Sequence, residues 1–232
     1  MNPLLLPATG GFFRNLDPGK WLEIGQATLD TLAMLGGALP MTLLAGLPLG
    51  VLLFLWGPRQ LHPQGGAYAV LSLLVNILRS VPFIILMIAM IPVTLAVMGT
   101  SLGVRGAILP LVVGAAPFYA RLVETALREV DRGVIEASLA MGATTWQLVW
   151  RVLLPEARPG LVAGATVTTI ALVGFTAMGG AIGSGGHDHL PFHECYLRWH
   201  TDVALVTVVL LLLLVQAVQV VGDHLVKRYS RR

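Results

Sequence analysis

The chain alternates between long apolar stretches and short polar segments. Five of the apolar stretches reach the length of about twenty residues that a helix needs to cross the hydrocarbon core of a bilayer. They cover residues 28–56, 67–98, 102–124, 157–182 and 203–226. The pattern therefore predicts an all-α integral membrane protein with five transmembrane helices.

The second stretch, residues 67–98, is too long for one straight crossing at about 1.5 Å per residue. No segment polar enough to form a turn divides it, so we interpret it as one bent helix. Pro82 and Pro92 would supply the kinks, because proline removes a backbone donor from a helix. Arg79 would then lie towards the cytoplasmic end of this span.

Composition agrees with a membrane protein. Apolar residues make up 56% of the chain and charged residues only 12%, whereas soluble domains contain about 25% charged residues. Cys195 is the only cysteine, which excludes an intrachain disulfide. The run Leu4–Pro7 is too short for a cleavable signal and lacks basic residues before it, so none is expected.

The distribution of lysine and arginine predicts the orientation of the chain. With residues 1–27 outside and the tail 227–232 in the cytoplasm, ten basic residues lie inside and four outside, as the positive-inside rule favours. The inner set is Arg59, Arg121, Arg128, Arg132, Arg151, Arg158, Lys227, Arg228, Arg231 and Arg232, and the outer set is Arg14, Lys20, Arg105 and Arg198.

Glycine pairs four residues apart recur in the predicted spans. The pairs are Gly46 with Gly50, Gly160 with Gly164 and Gly179 with Gly183. Residues at this spacing share one helix face, and glycine lets two helix backbones approach closely. The pattern indicates tightly packed helices, although a moving pathway could use the same residues.

A polar segment, residues 129–155, lies between the third and fourth spans, on the cytoplasmic side in this orientation. Residues 134–141 can form a short helix, with Glu136 near its positive end. Gly142 can adopt the left-handed conformation that ends a helix. Pro155 suits the first turn of the next one. The pattern predicts a short cytoplasmic helix with a defined stop.

The spacing of this segment resembles the Glu-Ala-Ala signature of ABC importer permeases. Glu136–Ser138 is followed after three residues by Gly142 and after nine more by Val152–Pro155; Ser138 replaces an alanine and Val152 an isoleucine. The small residues would let another protein approach. In that family the loop docks on the ATPase, which implies coupling roles for Glu136, Ala137, Ser138, Met141, Gly142, Ala143 and Thr144.

Further runs are similar to methionine-importer permeases. They are Asn76–Leu86, Gly99–Gly103, Gly114–Arg121, Glu136–Thr144 and Ala177–Gly183. The resemblance implies the type I ABC importer permease fold in a bacterial inner membrane. It also implies a second copy of the chain, two ATPase subunits and an outer methionine-binding protein, with import of D- or L-methionine. Because no Gly-x4-Gly-Lys-Ser/Thr motif occurs here, ATP and Mg are expected on the ATPase. Neither a cofactor, an enzymatic activity nor a nucleic-acid partner is expected for this chain.

Six residues inside the spans, four of them polar, are candidates for a translocation path or gate. The set is Asn76, Arg79, Ser80, Pro82, Thr176 and Met178. An ionisable residue within a span is a functional candidate by default. A structural or dimer-gate role for Arg79, with its head group reaching towards the interface, is the alternative. For Met178, simple packing is the alternative.

One outer region departs from the methionine-importer pattern. It carries the metal-ligand types His187, His189, His193, Cys195 and His200. A solvated loop that touches the binding protein is the simpler interpretation, and no metal site is assigned. The region leaves two alternatives open: a permease for another small amino acid or a metal chelate, and an integral-membrane metallohydrolase.

Overall fold

A computed structural model describes residues 18–58, 60–180 and 201–230, and every regular element within these ranges is helical. The elements are α1 (Pro18–Trp56), α2 (Gly65–Ser80), α3 (Phe83–Ala89), α4 (Ile91–Met98), α5 (Gly103–Arg128), α6 (Arg132–Ala140), α7 (Thr145–Leu148), a π-helical turn (Val149–Leu153), α8 (Leu154–Glu156), α9 (Arg158–Gly180) and α10 (Thr201–Ser230). The predicted all-α fold is confirmed.

Helices α1, α5, α9 and α10 are each long and apolar enough to cross a membrane. The described residues supply a fifth crossing if α2 and α3 are counted as one bent span. Helix α1 begins ten residues before the expected start at residue 28. A helix can extend beyond its apolar window because its backbone hydrogen bonds do not require apolar side chains.

The stretch predicted as one bent helix is instead broken into α2, α3 and α4. Helices α2 and α3 meet at 103°. The break falls at Val81, whose ψ of 125° is extended, because the ring of Pro82 disfavours a helical conformation in the preceding residue. A second break lies at Met90. The position of Pro82 therefore predicted where the helix is interrupted. The interruption separates two helices, however, and is sharper than the kink that we expected.

Helix α5 forms the centre of the bundle. It packs against α1, α2, α3, α4 and α9, while α10 packs on the outer side of α9. Its residues Leu111, Val123 and Leu127 are fully buried. The small residues Gly114 and Ala115 lie in the same core, where they leave room for neighbouring helices.

Close helix contacts occur at the glycine pairs. A methyl group on Gly50 of α1 would lie 2.6 Å from the carbonyl oxygen of Ala120. One on Gly160 of α9 would lie 2.8 Å from Cβ of Ala126. Both distances are shorter than a carbon atom tolerates, so α1 and α9 pack against α5 at separations that only glycine permits. Gly183, in the third pair, lies outside the described residues.

Candidate functional site

The polar segment after α5 begins with a capped helix. Asp131 precedes α6, and its Oδ1 accepts a hydrogen bond from the amide of Gly133 at 2.6 Å. Because α6 starts at Arg132, Glu136 lies beyond the first turn, where the helix dipole has little effect. The expected role of Glu136 at the helix start is therefore wrong, and Asp131 occupies that place. An aspartate before a predicted helix was the available signal.

The end of α6 is closed by Gly142. Its φ is +81°, in the left-handed region that glycine adopts readily. The Gly142 amide donates to the carbonyl of Leu139 at 2.9 Å, and the Ala143 amide donates to that of Ser138 at 3.1 Å. These bonds satisfy helix carbonyls that would otherwise lack partners. The predicted stop is therefore present at the expected residue.

The next helix, α7, begins at Thr145 with reciprocal capping. The Thr144 hydroxyl accepts from the Gln147 amide at 3.3 Å, and the Thr144 amide donates to Oε1 of Gln147 at 3.0 Å. The His62 ring also contacts the Thr145 hydroxyl at 2.8 Å, joining the α1–α2 connection to this turn. The polar segment therefore has a fixed shape set by its own hydrogen bonds.

Most of the predicted coupling residues face outward. The exposed ones are Glu136, Ala137, Met141, Gly142 and Thr144, and Ala143 is partly buried. Ser138 is buried instead, and its hydroxyl donates to the carbonyl of Val134 at 2.7 Å. It cannot offer a small outward surface to another protein, because it packs towards the rest of this chain. Met141 is 82% exposed, an unusual position for a large apolar side chain.

Two tryptophans beside this segment were not singled out from the sequence. Trp146 and Trp150 are both exposed, and their ring centroids lie 5.3 Å apart. They border an apolar groove of about 590 Å³ formed with Leu52 and Leu55 of α1. Tryptophan is enriched at membrane interfaces, which suits this position. The spacing of four residues, which brings two side chains together on one helix face, was the signal in the sequence.

A buried ion cluster ties α5 to α2. The Glu124 carboxylate accepts from Arg121 and from Arg128, each at 2.6 Å, and its side chain is only 4% exposed. The Tyr68 hydroxyl lies 3.4 Å from Glu124 and 3.3 Å from Arg128. The second terminal nitrogen of Arg121 donates to the Ser72 hydroxyl. Sequence reasoning missed this cluster; arginines three and four residues from a glutamate were its local signal.

Four predicted path residues meet at the break between α2 and α3. Asn76, Arg79, Ser80 and Pro82 all line a cavity of about 570 Å³. The Arg79 guanidinium carbon lies 5.6 Å from the centre of the Phe118 ring, within cation–π range. The cavity therefore combines a cation and polar groups with apolar and aromatic side chains at the bend between α2 and α3.

The remaining predicted path residues are not brought into this cavity. Thr176 is buried, and its hydroxyl donates to the carbonyl of Val173 at 2.7 Å. Met178 is 47% exposed and is not among the cavity's lining residues. Their assignment to a path or gate stays a prediction.

The outer region with residues of metal-ligand type lies beyond the part of the chain that the structure describes. His187, His189, His193, Cys195 and His200 all lie outside the described residues. Within the described part of the chain, no group of three or more histidine, cysteine or acidic residues could hold a metal ion. No metal site is therefore assigned to this chain.

Residues 46–231 match the family described as binding-protein-dependent transport system inner membrane component. A probable D-methionine transport system permease of Pasteurella multocida is 42% identical over 223 residues, covering 94% of this chain and 100% of that protein. A methionine import system permease of Bacillus subtilis is 44% identical over 221 residues, covering 95% and 98% respectively.

The fold also matches a solved structure. The methionine ABC transporter MetNI in an inward-facing conformation contains a chain 47% identical to this one, with a TM-score of 0.89. The match covers 92% of this chain and 98% of that chain. The match therefore extends over almost the whole helical architecture described above.

Proposed function

Because this chain belongs to the family of binding-protein-dependent transport system inner membrane components, we propose that it is the permease that passes methionine through an ATP-driven importer. The prediction of a transport subunit rather than an enzyme is confirmed by this membership. The methionine assignment is supported by relatives whose names specify methionine transport and whose lengths this chain nearly covers. The cavity of about 570 Å³ at the α2–α3 break supports this proposal, because its volume is typical of a small-molecule site.

The segment α6–α7 is the contact for the ATPase. A coupling element must keep its shape while force passes through it, and the caps at Asp131, Gly142 and Thr144 supply that rigidity. The exposed Met141 beside small Ala137 suits a protein contact, since methionine is enriched at interfaces. Two such ATPase subunits would carry ATP and Mg, and each would seat one copy of this chain.

The proposed assembly has two copies of this chain around one path, with a methionine-binding protein on the outer side. The N-terminus lies outside and the C-terminus in the cytoplasm of a bacterial inner membrane. The basic residues Lys227 and Arg228 in the last turn of α10 support this orientation. ATP binding draws the ATPase pair together, and the change reaches the spans as a shift between two conformations.

Uptake of radiolabelled methionine tests the assignment. Proteoliposomes would contain this chain with its ATPase, ATP inside and the binding protein outside. We expect accumulation that needs both ATP hydrolysis and the binding protein, and that unlabelled D- or L-methionine suppresses. Liposomes with a non-hydrolysable ATP analogue are the matched control. Failure to accumulate methionine, with accumulation of a metal chelate or another amino acid, would favour the alternative permease functions.

A further inference from the structure

The break between α2 and α3 exposes irregular backbone at membrane depth. Helix α2 starts at Gly65, beside the cytoplasmic segment, so Arg79 lies about 21 Å along the helix axis at 1.5 Å per residue. The expectation that Arg79 lies towards the cytoplasmic end is therefore wrong. Non-helical backbone is tolerated at this depth only where it is buried in protein or lines a polar cavity. Here the extended Val81 and Pro82 line the cavity of about 570 Å³, a volume typical of small-molecule sites.

Arg79 brings a positive charge to this cavity. Its guanidinium contacts the Phe118 ring, and no carboxylate among the described residues pairs with it. An unpaired cation within a span is costly unless water or a ligand compensates it. Guanidinium groups match carboxylates in geometry, because two parallel N–H donors can meet two oxygens. Arg79 is therefore suited to a ligand that carries a carboxylate.

Asn76 is held so that it presents a donor. Its Oδ1 accepts a hydrogen bond from Arg121 at 3.0 Å. The orientation of the amide is thereby fixed, since an arginine has no acceptor to offer the Nδ2 group. The Nδ2 donors have no partner among the described residues and belong to a side chain that lines the cavity. The ion cluster of α5 thus orients a second group able to donate to a carboxylate.

Ser80 presents the opposite polarity. Its hydroxyl proton is engaged with the backbone carbonyl of Asn76 at 2.8 Å. The hydroxyl oxygen therefore keeps its lone pairs for a donor, such as an ammonium group. Ser80 lies next to Arg79 in sequence and lines the same cavity. Donors for an anion and an acceptor for a cation thus lie side by side.

Three phenylalanines supply the aromatic part of the cavity wall, beside the aliphatic Leu78, Val81 and Leu86. The rings of Phe83 and Phe175 stack with centroids 4.5 Å apart, and both line the cavity together with Phe118. Aromatic rings bind apolar side chains and make favourable contacts with thioether sulfur. The site therefore offers polar groups to a charged head group and aromatic surface to an apolar side chain.

We propose that this cavity is a binding site for a free amino-acid zwitterion within the membrane. Arg79 and Asn76 bind the carboxylate, Ser80 accepts from the ammonium group, and the phenylalanines contact the side chain. The inference rests on the proposed function and deepens it, because it assigns recognition of the backbone groups of the solute to the permease itself, in addition to the binding protein.

Direct binding tests the site. The complex of this chain with its ATPase, in nanodiscs and without binding protein, would be titrated with radiolabelled L-methionine. We expect saturable binding that Arg79→Gln weakens at least tenfold and Arg79→Lys partly restores. Arg105→Gln is the matched control, because it removes an exposed arginine that does not line the cavity and should leave the Kd unchanged. Absence of saturable binding, or an unchanged Kd in Arg79→Gln, overturns the site.

Competition separates recognition from a structural role. Methioninol lacks the carboxylate, so it should compete at least tenfold more weakly than methionine in the unsubstituted complex. Arg79→Gln should abolish that difference. Equal competition by the two compounds in the unsubstituted complex overturns the site even if the variant fails to assemble. In that case methionine uptake by the complete importer would persist. The proposed function would then remain supported, and only the proposed binding site would be excluded.

Discussion

The Arg121 guanidinium lies 2.6 Å from the Glu124 carboxylate through Nη1, while its Nη2 reaches Asn76 at 3.0 Å. One side chain thus joins the buried ion cluster of α5 to the cavity at the end of α2. Helix α5 leads directly into α6, the proposed ATPase contact. A shift of α5 caused by the ATPase would therefore move a residue that bonds to the cavity wall.

Removing the charge of Glu124 should destabilise the protein. In Glu124→Gln, Arg121 and Arg128 would remain close together without a shared anion. Breaking a buried ion pair from one side costs about 3–5 kcal/mol, and the exposure of Arg128 places the expected loss at the lower end. A clear fall in Tm of the purified protein would be the measurement. Glu129→Gln, an exposed glutamate at the end of the same helix, should change Tm little.

Bulk at Gly50 should force α1 away from α5. In Gly50→Ala the new methyl group would lie 2.6 Å from the Ala120 carbonyl oxygen and 2.5 Å from Cβ of Val123. Overpacking of this kind costs about 1–3 kcal/mol. Gly36→Ala is the control on the same helix, because nothing lies within 4 Å of its added carbon. Equal Tm values for the two variants would contradict the close helix contact.

Local patterns predicted the elements better than the contacts between them. Apolar length identifies the spans, and Gly142 marks the end of α6 through its own conformational freedom. The Glu124 ion pairs had a local signal on α5, but their hydrogen bonds to Tyr68 and Ser72 depend on α2 packing beside α5, which no local pattern encodes. The expectation that Ser138 faces outward is wrong for the same reason. The sequence shows that the residue is small, but it does not show which side of α6 packs against the bundle. Pro82 located a break, whereas the 103° angle depends on tertiary packing.

The left-handed turn at Gly142 should be needed for coupling. Valine is strained at a φ of +81°, whereas asparagine visits this region more readily. We expect Gly142→Val to lower methionine uptake per ATP hydrolysed, with the spans still inserted. Gly142→Asn should retain more of the coupling. If both variants transported like the unsubstituted chain, the shape of this turn would not be required.

The predicted orientation can be checked by thiol labelling of intact spheroplasts. Cys195, the only cysteine, should react with an impermeant maleimide from outside. A Ser230→Cys substitution in a Cys195→Ser background should react only after permeabilisation, because α10 would end in the cytoplasm. The reverse pattern would overturn the proposed topology and with it the cytoplasmic position of α6.

The second copy should pack against the free face of α3. Phe83, Leu86 and Met87 are buried against the rest of the chain, whereas Ile84, Ile85 and Ile88 on the other side are exposed. Lipid could cover such a face, but it also lies beside the cavity that two copies would share. Single cysteines at these three isoleucines, in a Cys195→Ser background, should include at least one that crosslinks two copies.

That crosslink should also slow transport. Alternating access requires the two copies to move relative to each other, so a covalent link across the shared path should block methionine uptake until a reductant restores it. Leu212→Cys on α10 is the control, because Leu212 is equally apolar and 59% exposed but belongs to the helix on the outer side of α9. It should neither crosslink nor slow uptake. Absence of a crosslink at all three isoleucines, or a crosslink without an effect on uptake, would exclude a path shared between two copies at α3.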